Sequence, residues 1–573
     1  MSLAPLIVDK VSLKNLLVGL TGFILLSLPA LVSPAGGSES LADSCSEPAV
    51  GAAHATGKKR PRELPPLTKR DEVPPRDKGP DTYFSMSTRD LWENVVKSDR
   101  QAIIGLKVQG DARGMWQGHW LISRGNFSEK VNEVKATIGV KNIAYVDKHL
   151  PFVVAILSDE QALSELRSKQ YVDYIEPGHY EFVPAAGVDY EGILGCAVEP
   201  VDWPSEKLDD GDILPRTFRS IGIVNAWDRK ATGRGANLGL IDTGLFKTQD
   251  EFFPKNFGSN APRILQYEGC KDRSCLNRLD PNRFDTCNHG TRMAGVLTAP
   301  KNGTSVVGVA FEANLYAGKA ANGVWADTST NHLLTLREIV EQGAQIVVMA
   351  FGQLWTSDSF GDEIDRHYYQ KEKNLLFVAA AGTAPVGRMC SMAGGNAFPA
   401  RKEEVLSVTG VNERGEPCDI CCGRKNVDIA AFVQRTETSG SGTDLISIDG
   451  SSNATAIVSG IAALVWSQNL KWTRYEVWNR IRKTARFVVD EKHWVVDANR
   501  ATGLQGVRIE KVWQGKSRYR LTAVHEGFGN VSYRWNLGEK SRVVKRTSPA
   551  TVSVVVTDAI DNTQCTTEIR IEK

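Results

Sequence analysis

Apolar and polar positions follow different rhythms along the chain, and each change of rhythm marks a segment. Between residues 216 and 502, short apolar runs alternate with helical stretches. The runs are Ala236-Asn237-Leu238-Gly239-Leu240-Ile241, Ala344-Gln345-Ile346-Val347-Val348-Met349-Ala350 and Leu375-Leu376-Phe377-Val378-Ala379-Ala380-Ala381. A strand that is apolar on both faces must be covered on both, so these runs predict a parallel sheet between layers of helices. In such sheets, ligands and chemistry sit beyond the carboxyl ends of the strands. From 505 to 573 the period drops to two. Val507-Arg508-Ile509-Glu510, Tyr519 to Val524, Val531 to Trp535 and Ala550 to Val556 are short strands between Gly, Asn and Asp turns. That pattern predicts a small β-sandwich.

From about 99 to 183 both periods occur. Ala102 to Val108, Asn142 to Val146, Pro151 to Leu157 and Tyr171 to Pro177 read as strands. Phe127 to Ile138 has helical spacing through Val131, Val134 and Ile138. Asp159 to Lys169 also reads as a helix, with Asp159 near its start and Leu163 and Leu166 three apart. The order β-α-β-β-α-β predicts a small ferredoxin-like α+β unit, which by itself states no function. Residues 36–98 read as a disordered linker. Lys58-Lys59-Arg60-Pro61-Arg62 and the prolines at 65, 66, 74, 75 and 80 sit among charges with few large apolar groups. Such a segment cannot bury enough surface to offset its ordering entropy.

At the N-terminus, Lys10 and Lys14 precede an apolar stretch from Leu16 to Leu28, Pro29 breaks it, and Ser33-Pro34-Ala35-Gly36 follows. Residues 1–35 therefore read as a signal peptide. The alternative is an uncleaved membrane anchor over 16–32, near the minimum length for a span and weakened by Pro29. Either reading places the bulk of the chain outside the cytosol, secreted or membrane-anchored. Ten cysteines fit an oxidising compartment. Cys418-x-x-Cys421-Cys422 has no second CxxC or HxxxH at ligand spacing, so disulfides or buried thiols fit it better than zinc. Lys+Arg at 69 against Asp+Glu at 67 leaves a net charge of +2, which gives no electrostatic case for binding nucleic acid. The absence of a 20–50-residue period argues against a solenoid. One long apolar run excludes a multi-span membrane protein.

Three places in the middle block carry candidate chemistry. In Leu240-Ile241-Asp242-Thr243-Gly244 an apolar strand ends in a carboxylate, held at the sheet's active edge or used to cap the next turn. In Asn288-His289-Gly290-Thr291 a glycine loop turns into an apolar helix, so His289 is either a general base or a satisfied core histidine. In Gly450-Ser451-Ser452-Asn453-Ala454-Thr455-Ala456 a small-residue turn opens an apolar helix. Ser452 there would lie where free N–H groups and the helix dipole favour an oxyanion, unless it or Ser451 is a plain cap.

Together, in the order Asp, His, Ser, these blocks resemble the subtilisin-like serine proteases, the subtilases. The resemblance covers about residues 215–502. It implies an α/β fold with a parallel-sheet catalytic domain at 216–502 and an exported serine endopeptidase acting on polypeptides. In that family Ser452 would be the nucleophile, His289 the base and Asp242 its orienting partner. Substrate would lie along Ala350-Phe351-Gly352 and Ala380-Ala381-Gly382. The unit at 99–183 looks like the family's inhibitory propeptide, a partner within the same chain, with a self-processing site in the junction 184–215. The β-sandwich at 505–573 looks, more loosely, like a polycystic-kidney-disease-type module. No cofactor is needed for the chemistry. Structural calcium is a family expectation, with Asp209-Asp210-Gly211-Asp212 as a candidate loop.

The chain departs from the family pattern at several positions. Thr383 follows Ala380-Ala381-Gly382 where the family usually has an Asn whose amide helps hold the oxyanion. A Thr hydroxyl reaches less far, which leaves a catalytically weak or inactive binding protein as the alternative function. Ser451 and Asn453 replace the usual Thr and Met, Ala456 the usual Pro, and Arg292 a frequent His. Cys287, two residues before His289, is expected to be a structural thiol or a disulfide partner. Asn453-Ala454-Thr455 matches the N-glycosylation pattern, but a buried helix start has no room for a glycan.

Overall fold

The structure is a computed structural model. It describes Cys45–Ser46 and residues 82–571 except 109–113, 117–118, 122–125, 179, 182–195, 247–248, 250–251, 253–263, 269–284, 286, 325, 328, 370–373, 384–394, 413, 424–426, 442–443, 489–492, 505, 515–517, 528–530, 548 and 561. The expected signal segment and most of the expected linker lie outside the described residues.

A nine-stranded sheet runs through the middle block. Its strands are β1 (Asn237–Asp242), β2 (Ile264–Glu268), β3 (Asn314–Lys319), β4 (Ile346–Met349), β5 (Leu376–Ala380), β6 (Val405–Val411), β7 (Ile429–Phe432), β8 (Arg486–Val488) and β9 (His493–Val495). They lie in the order β2-β3-β1-β4-β5-β6-β7-β9-β8. Every neighbouring pair is parallel except β8 with β9. The four helices that matter most are α1 (His289–Thr298), α2 (Ser329–Glu341), α3 (Asp358–Tyr368) and α4 (Gly450–Trp466). Successive residues of β4 enter opposite cores. Ile346 and Val348 pack with Ile457 and Ile461 of α4, whereas Val347 and Met349 pack with Leu336 of α2 and Phe360 of α3. The doubly apolar runs thus mean what they predict, a parallel sheet covered on both faces. α4 is buried at every residue, which explains why it is apolar all round.

Before this block, the strands Gln101–Leu106, Ile143–Val146, Phe152–Ile156 and Val172–Pro177 form one antiparallel sheet. Phe152–Ile156 and Gln101–Leu106 are central, with Ile143–Val146 and Val172–Pro177 at the edges. The helices Phe127–Ile138 and Glu160–Ser168 connect them, and Asp159 caps the second by accepting from Ala162 N–H. Ile103, Leu150, Phe152 and Tyr174 of this unit share a core with α2 and α3. The expected linker is corrected at its carboxyl end, because Thr88–Lys97 is a helix. Ser87 caps it through Asp90 N–H, and Leu91 and Val95, four apart, are fully buried. The prolines and charges of 36–81 dilute this short stripe when composition is read over the whole stretch.

After the middle block, two antiparallel sheets share one core. One holds Gly506–Trp513, Tyr519–Glu526 and Val543–Arg546. The other holds Val531–Trp535, Ala550–Asp558 and Gln564–Ile571, with Cys45–Ser46 added at its edge. Leu521 and Val544 of the first meet Trp535, Val552 and Val554 of the second. This module is fastened to the middle block by an ion pair, Arg229 Nε to Asp558 Oδ2 at 3.1 Å, with both side chains 0% exposed. Among the described residues, no helix is long and apolar enough to cross a membrane.

Candidate active site

The site forms at the carboxyl edge of the sheet. Asp242 is the last residue of β1, and its Oδ1 accepts the N–H of Thr243 at 2.7 Å and lies 2.8 Å from His289 Nδ1. The carboxylate thus engages both the turn after β1 and the imidazole. Both side chains are buried. His289 is the first residue of α1, entered through Asn288 at a left-handed φ of 72°. Gly290 lets the two loops close, since a Cβ there would stand 2.2 Å from the Gly244 carbonyl oxygen.

Behind this pair lies a residue that the sequence reading missed. The buried Asp285 accepts from the N–H groups of Cys287 (2.9 Å), Asn288 (2.9 Å) and Thr291 (3.1 Å). It also accepts from the hydroxyls of Thr243 (2.9 Å) and Thr291 (2.7 Å). Burial pushes its carboxyl up, and these bonds pull it back. It fixes the loop after β1 to the start of α1. Its one sequence signal is an Asp two and three residues before N–H groups of a turn, a pattern too common to single out.

Ser452 is the third residue of α4, which opens with Gly450 at φ 87°. Its hydroxyl donates to the Ala350 carbonyl oxygen at 2.7 Å and makes no hydrogen bond with His289 among the described residues. It is not the helix cap. Asn453, fully buried, donates through Nδ2 to Thr436 Oγ1 at 2.7 Å and to the Ile448 carbonyl at 3.1 Å. It pins the turn before the helix and has no space for a glycan.

The segments Ala350-Phe351-Gly352 and Ala380-Ala381-Gly382 stand at the carboxyl ends of the adjacent strands β4 and β5. Gly352 N–H donates to the Val324 carbonyl at 2.9 Å, and Ala381 N–H to the Val408 carbonyl at 2.8 Å. The Phe351 side chain belongs to the core, 4.1 Å from the His332 ring between centroids, so only its backbone is available to a ligand. Thr383, the expected oxyanion donor, has its hydroxyl beside Ser451. Its Oγ1 accepts Ser451 N–H at 3.0 Å and lies 3.0 Å from Ser451 Oγ, which itself accepts Gly382 N–H at 3.2 Å. Thr383→Val keeps the shape and removes the hydroxyl. A hydroxyl that serves only the turn should cost about 1 kcal/mol of stability per buried hydrogen bond lost and leave kcat nearly unchanged. A direct oxyanion donor would cost about 100- to 1,000-fold. Steady-state kinetics on a peptide amide separates the two.

Two pairings among the described residues settle the open alternatives for Cys418, Cys421, Cys196 and Cys287. Cys418 pairs with Cys421, so that run is not a zinc site, and Cys287 pairs with Cys196 of the junction. Beside this second bridge, the buried Arg292 donates to the Ala197 carbonyl at 3.0 Å. At the loop offered as a calcium candidate, the acidic side chains have protein partners. Asp212 is turned onto Gly303 N–H at 2.6 Å and Asp210 pairs with Lys301. Among the described residues, no group of three or more His, Cys, Asp or Glu side chains gathers as a metal site.

The sequence matches known proteins. A family model described as the Subtilase family matches residues 233–529. The chain belongs to the subtilase family and is a serine endopeptidase. It is 26% identical over 292 residues to a thermostable alkaline protease of Halalkalibacterium halodurans, which covers 50% of this chain and 73% of that protein. It is 24% identical over 347 residues to alkaline elastase YaB of a Bacillus strain, covering 58% and 82%. To Subtilisin Savinase of Lederbergia lenta it is 25% identical over 272 residues, covering 48% and 91%.

Proposed function

We propose that this endopeptidase is exported as a self-processing zymogen in which Ser452 is the nucleophile, His289 the base and Asp242 its orienting acid. The observation that carries this reading is the His289–Asp242 hydrogen bond at the end of β1, beside a Ser452 hydroxyl resting on the end of the neighbouring strand β4. In the reaction, Ser452 Oγ leaves the Ala350 carbonyl, gives its proton to His289 Nε2 and attacks the peptide carbonyl. His289 then returns the proton to the leaving amine, while Asp242 holds the ring and stabilises its charged form. The Ser452 main-chain N–H, in the first turn of α4, faces the developing oxyanion together with the helix dipole.

The N-terminal unit acts as the intramolecular inhibitor. Its end, Tyr180–Glu181, pairs antiparallel with Ala326–Asp327. Val324, just before, receives the Gly352 N–H. An extended substrate would add to the same edge. Because Cys196 is bonded to Cys287, the cut that frees the inhibitor falls on the amino side of Cys196. The test is processing of the purified chain. Wild type should cut itself and take up a serine-directed phosphonate. Ser452→Ala should stay full length, apart from signal removal, and unlabelled. Identical processing of the Ser452→Ala chain would overturn self-cleavage.

The inhibitor's grip rests on two helices of the catalytic domain. Glu176 sits fully buried at the amino end of α3, accepting from Asp358 N–H at 2.8 Å and from Ser359 N–H and Ser357 Oγ at 3.2 Å each. Asp147 pairs with Arg337 of α2 at 2.7 Å. Glu176→Ala is expected to weaken inhibition by a separately added N-terminal unit about 30-fold, the cost of leaving buried donors unpaired. Burial, with Asp358 beside it, pushes the Glu176 carboxyl from 4.5 up to about 8. The attached state therefore holds a proton that the released state sheds, so attachment through this group weakens as pH rises across that window. The inhibition constant measured at pH 5 and pH 9 should show this weakening in wild type and not in Glu176→Gln.

A further inference from the structure

The segment joining the inhibitor to the catalytic domain is fastened to the loop that carries His289 and to the strand that leads to Ser452. We infer that Cys196–Pro200 and Arg292 set His289 against Ser452, making Arg292 and the Cys196–Cys287 disulfide positioning residues for peptide hydrolysis. This inference rests on the triad reading above.

A chain of links closes a ring. Cys196 is bonded to Cys287, two residues before His289. Arg292, one turn after His289, donates through Nη1 to the Ala197 carbonyl at 3.0 Å and through Nε to the Asn288 carbonyl at 3.2 Å. Glu199–Pro200 then pairs antiparallel with the strand Leu445–Ile448, matching Pro200 to Ile446 and Glu199 to Ser447. That strand pairs in turn with Thr436–Ser439, whose Thr438 hydroxyl donates back to the Arg292 carbonyl at 2.7 Å. Leu445–Ile448 leads through Asp449 straight into α4 and Ser452.

The segment thus holds the histidine loop at one end and the approach to the nucleophile at the other. The two fastenings at the histidine end differ in kind, one covalent and one electrostatic, and fall on the adjacent residues 196 and 197. Gly295 lets α1 lie against Thr436–Ser439, since a Cβ there would meet Thr438 Oγ1 at 2.4 Å. Burial pushes the Arg292 guanidinium down to about 10 even with Asp285, Asp242 and Glu199 nearby. A cation held dry mainly to bond carbonyls is a costly fastening for a loop. Its position one turn after His289 on α1 gives that cost a purpose, because small misplacements of reacting groups slow chemistry steeply.

The experiment uses processed full-chain enzyme, with active sites counted by phosphonate titration. Arg292→Gln, the pair Cys196→Ala/Cys287→Ala and their combination are assayed on a peptide amide. Each change should lower kcat about 10- to 100-fold with KM within about twofold, and Arg292→Lys should recover part of the loss. The combined variant should lose less than the product of the two, because both act on one alignment. Folded variants that keep full kcat would overturn the inference, and so would a change confined to KM. A loss explained by fewer titratable sites would also overturn it. If Arg292→Gln yields no folded protein, the same criteria apply to the cysteine pair. Ser452→Ala is the separate control: if it still hydrolyses substrate, the triad reading fails rather than the positioning role.

Discussion

Replacing Ser452 by alanine is expected to lower kcat about a million-fold with KM almost unchanged, the scale seen for the nucleophile of subtilisin, a member of this family. In the proposed mechanism the hydroxyl forms the acyl-enzyme, so its loss removes the chemical step rather than substrate binding. His289→Ala should cost about as much, and adding it to Ser452→Ala should cost little more, because the two act as one unit. Asp242→Asn should cost about 10,000-fold through the wrong imidazole tautomer, given the single 2.8 Å contact to His289 Nδ1. Hydrolysis of a peptide amide, normalised to folded protein, gives these ratios directly. A residual rate within tenfold of wild type in Ser452→Ala would remove the nucleophile from that position.

The largest stability effect is expected at Arg229 and Asp558. Asp558→Ala leaves the Arg229 guanidinium, 0% exposed, without its carboxylate. Breaking one side of a buried pair typically costs about 3–5 kcal/mol. The loss is not compensated by water, because the pair is closed in between the end of one module and the start of another. Asn499 Oδ1 at 2.5 Å remains as a partner for Arg229 Nη1, which places the expected loss toward the lower figure. Replacing both by apolar residues, Arg229→Met with Asp558→Leu, should recover most of it. Urea unfolding of phosphonate-blocked enzyme, which cannot digest itself, reads the midpoints. Equal midpoints for wild type and Asp558→Ala would show that the module is not held by this pair.

What could be read from the sequence was local. Asp242, His289 and Ser452 each sit where a strand ends or a helix begins, and short neighbouring residues betray such places. The parallel sheet was legible because β4 and β5 are apolar at every position, and only double coverage accounts for that. What escaped reading was set by residues distant in the chain. Asp285 draws two loops together only after β1 and α1 are adjacent. Cys196 could have met any of nine other cysteines. Thr383 looks like a shortened oxyanion donor in sequence, and only three dimensions place its hydroxyl beside Ser451. The strand Val543–Arg546 gives no clear alternation, because Val543 faces out, the charged Lys545 and Arg546 are adjacent, and only Val544 turns fully into the core.

The order of the central sheet has a consequence for how the chain is made. β1 leaves the ribosome without either neighbour, since β3 starts only at Asn314 and β4 only at Ile346. Contacts so remote in sequence make folding slow and leave apolar edges open meanwhile. The N-terminal unit is synthesised earlier and presents Asp147 and Glu176 to α2 and α3. Those helices connect β3, β4 and β5, so a preformed template for them shortens the search for the sheet. Nascent chains lacking residues 82–181 should accordingly collapse into aggregates that the same unit, supplied in trans, rescues.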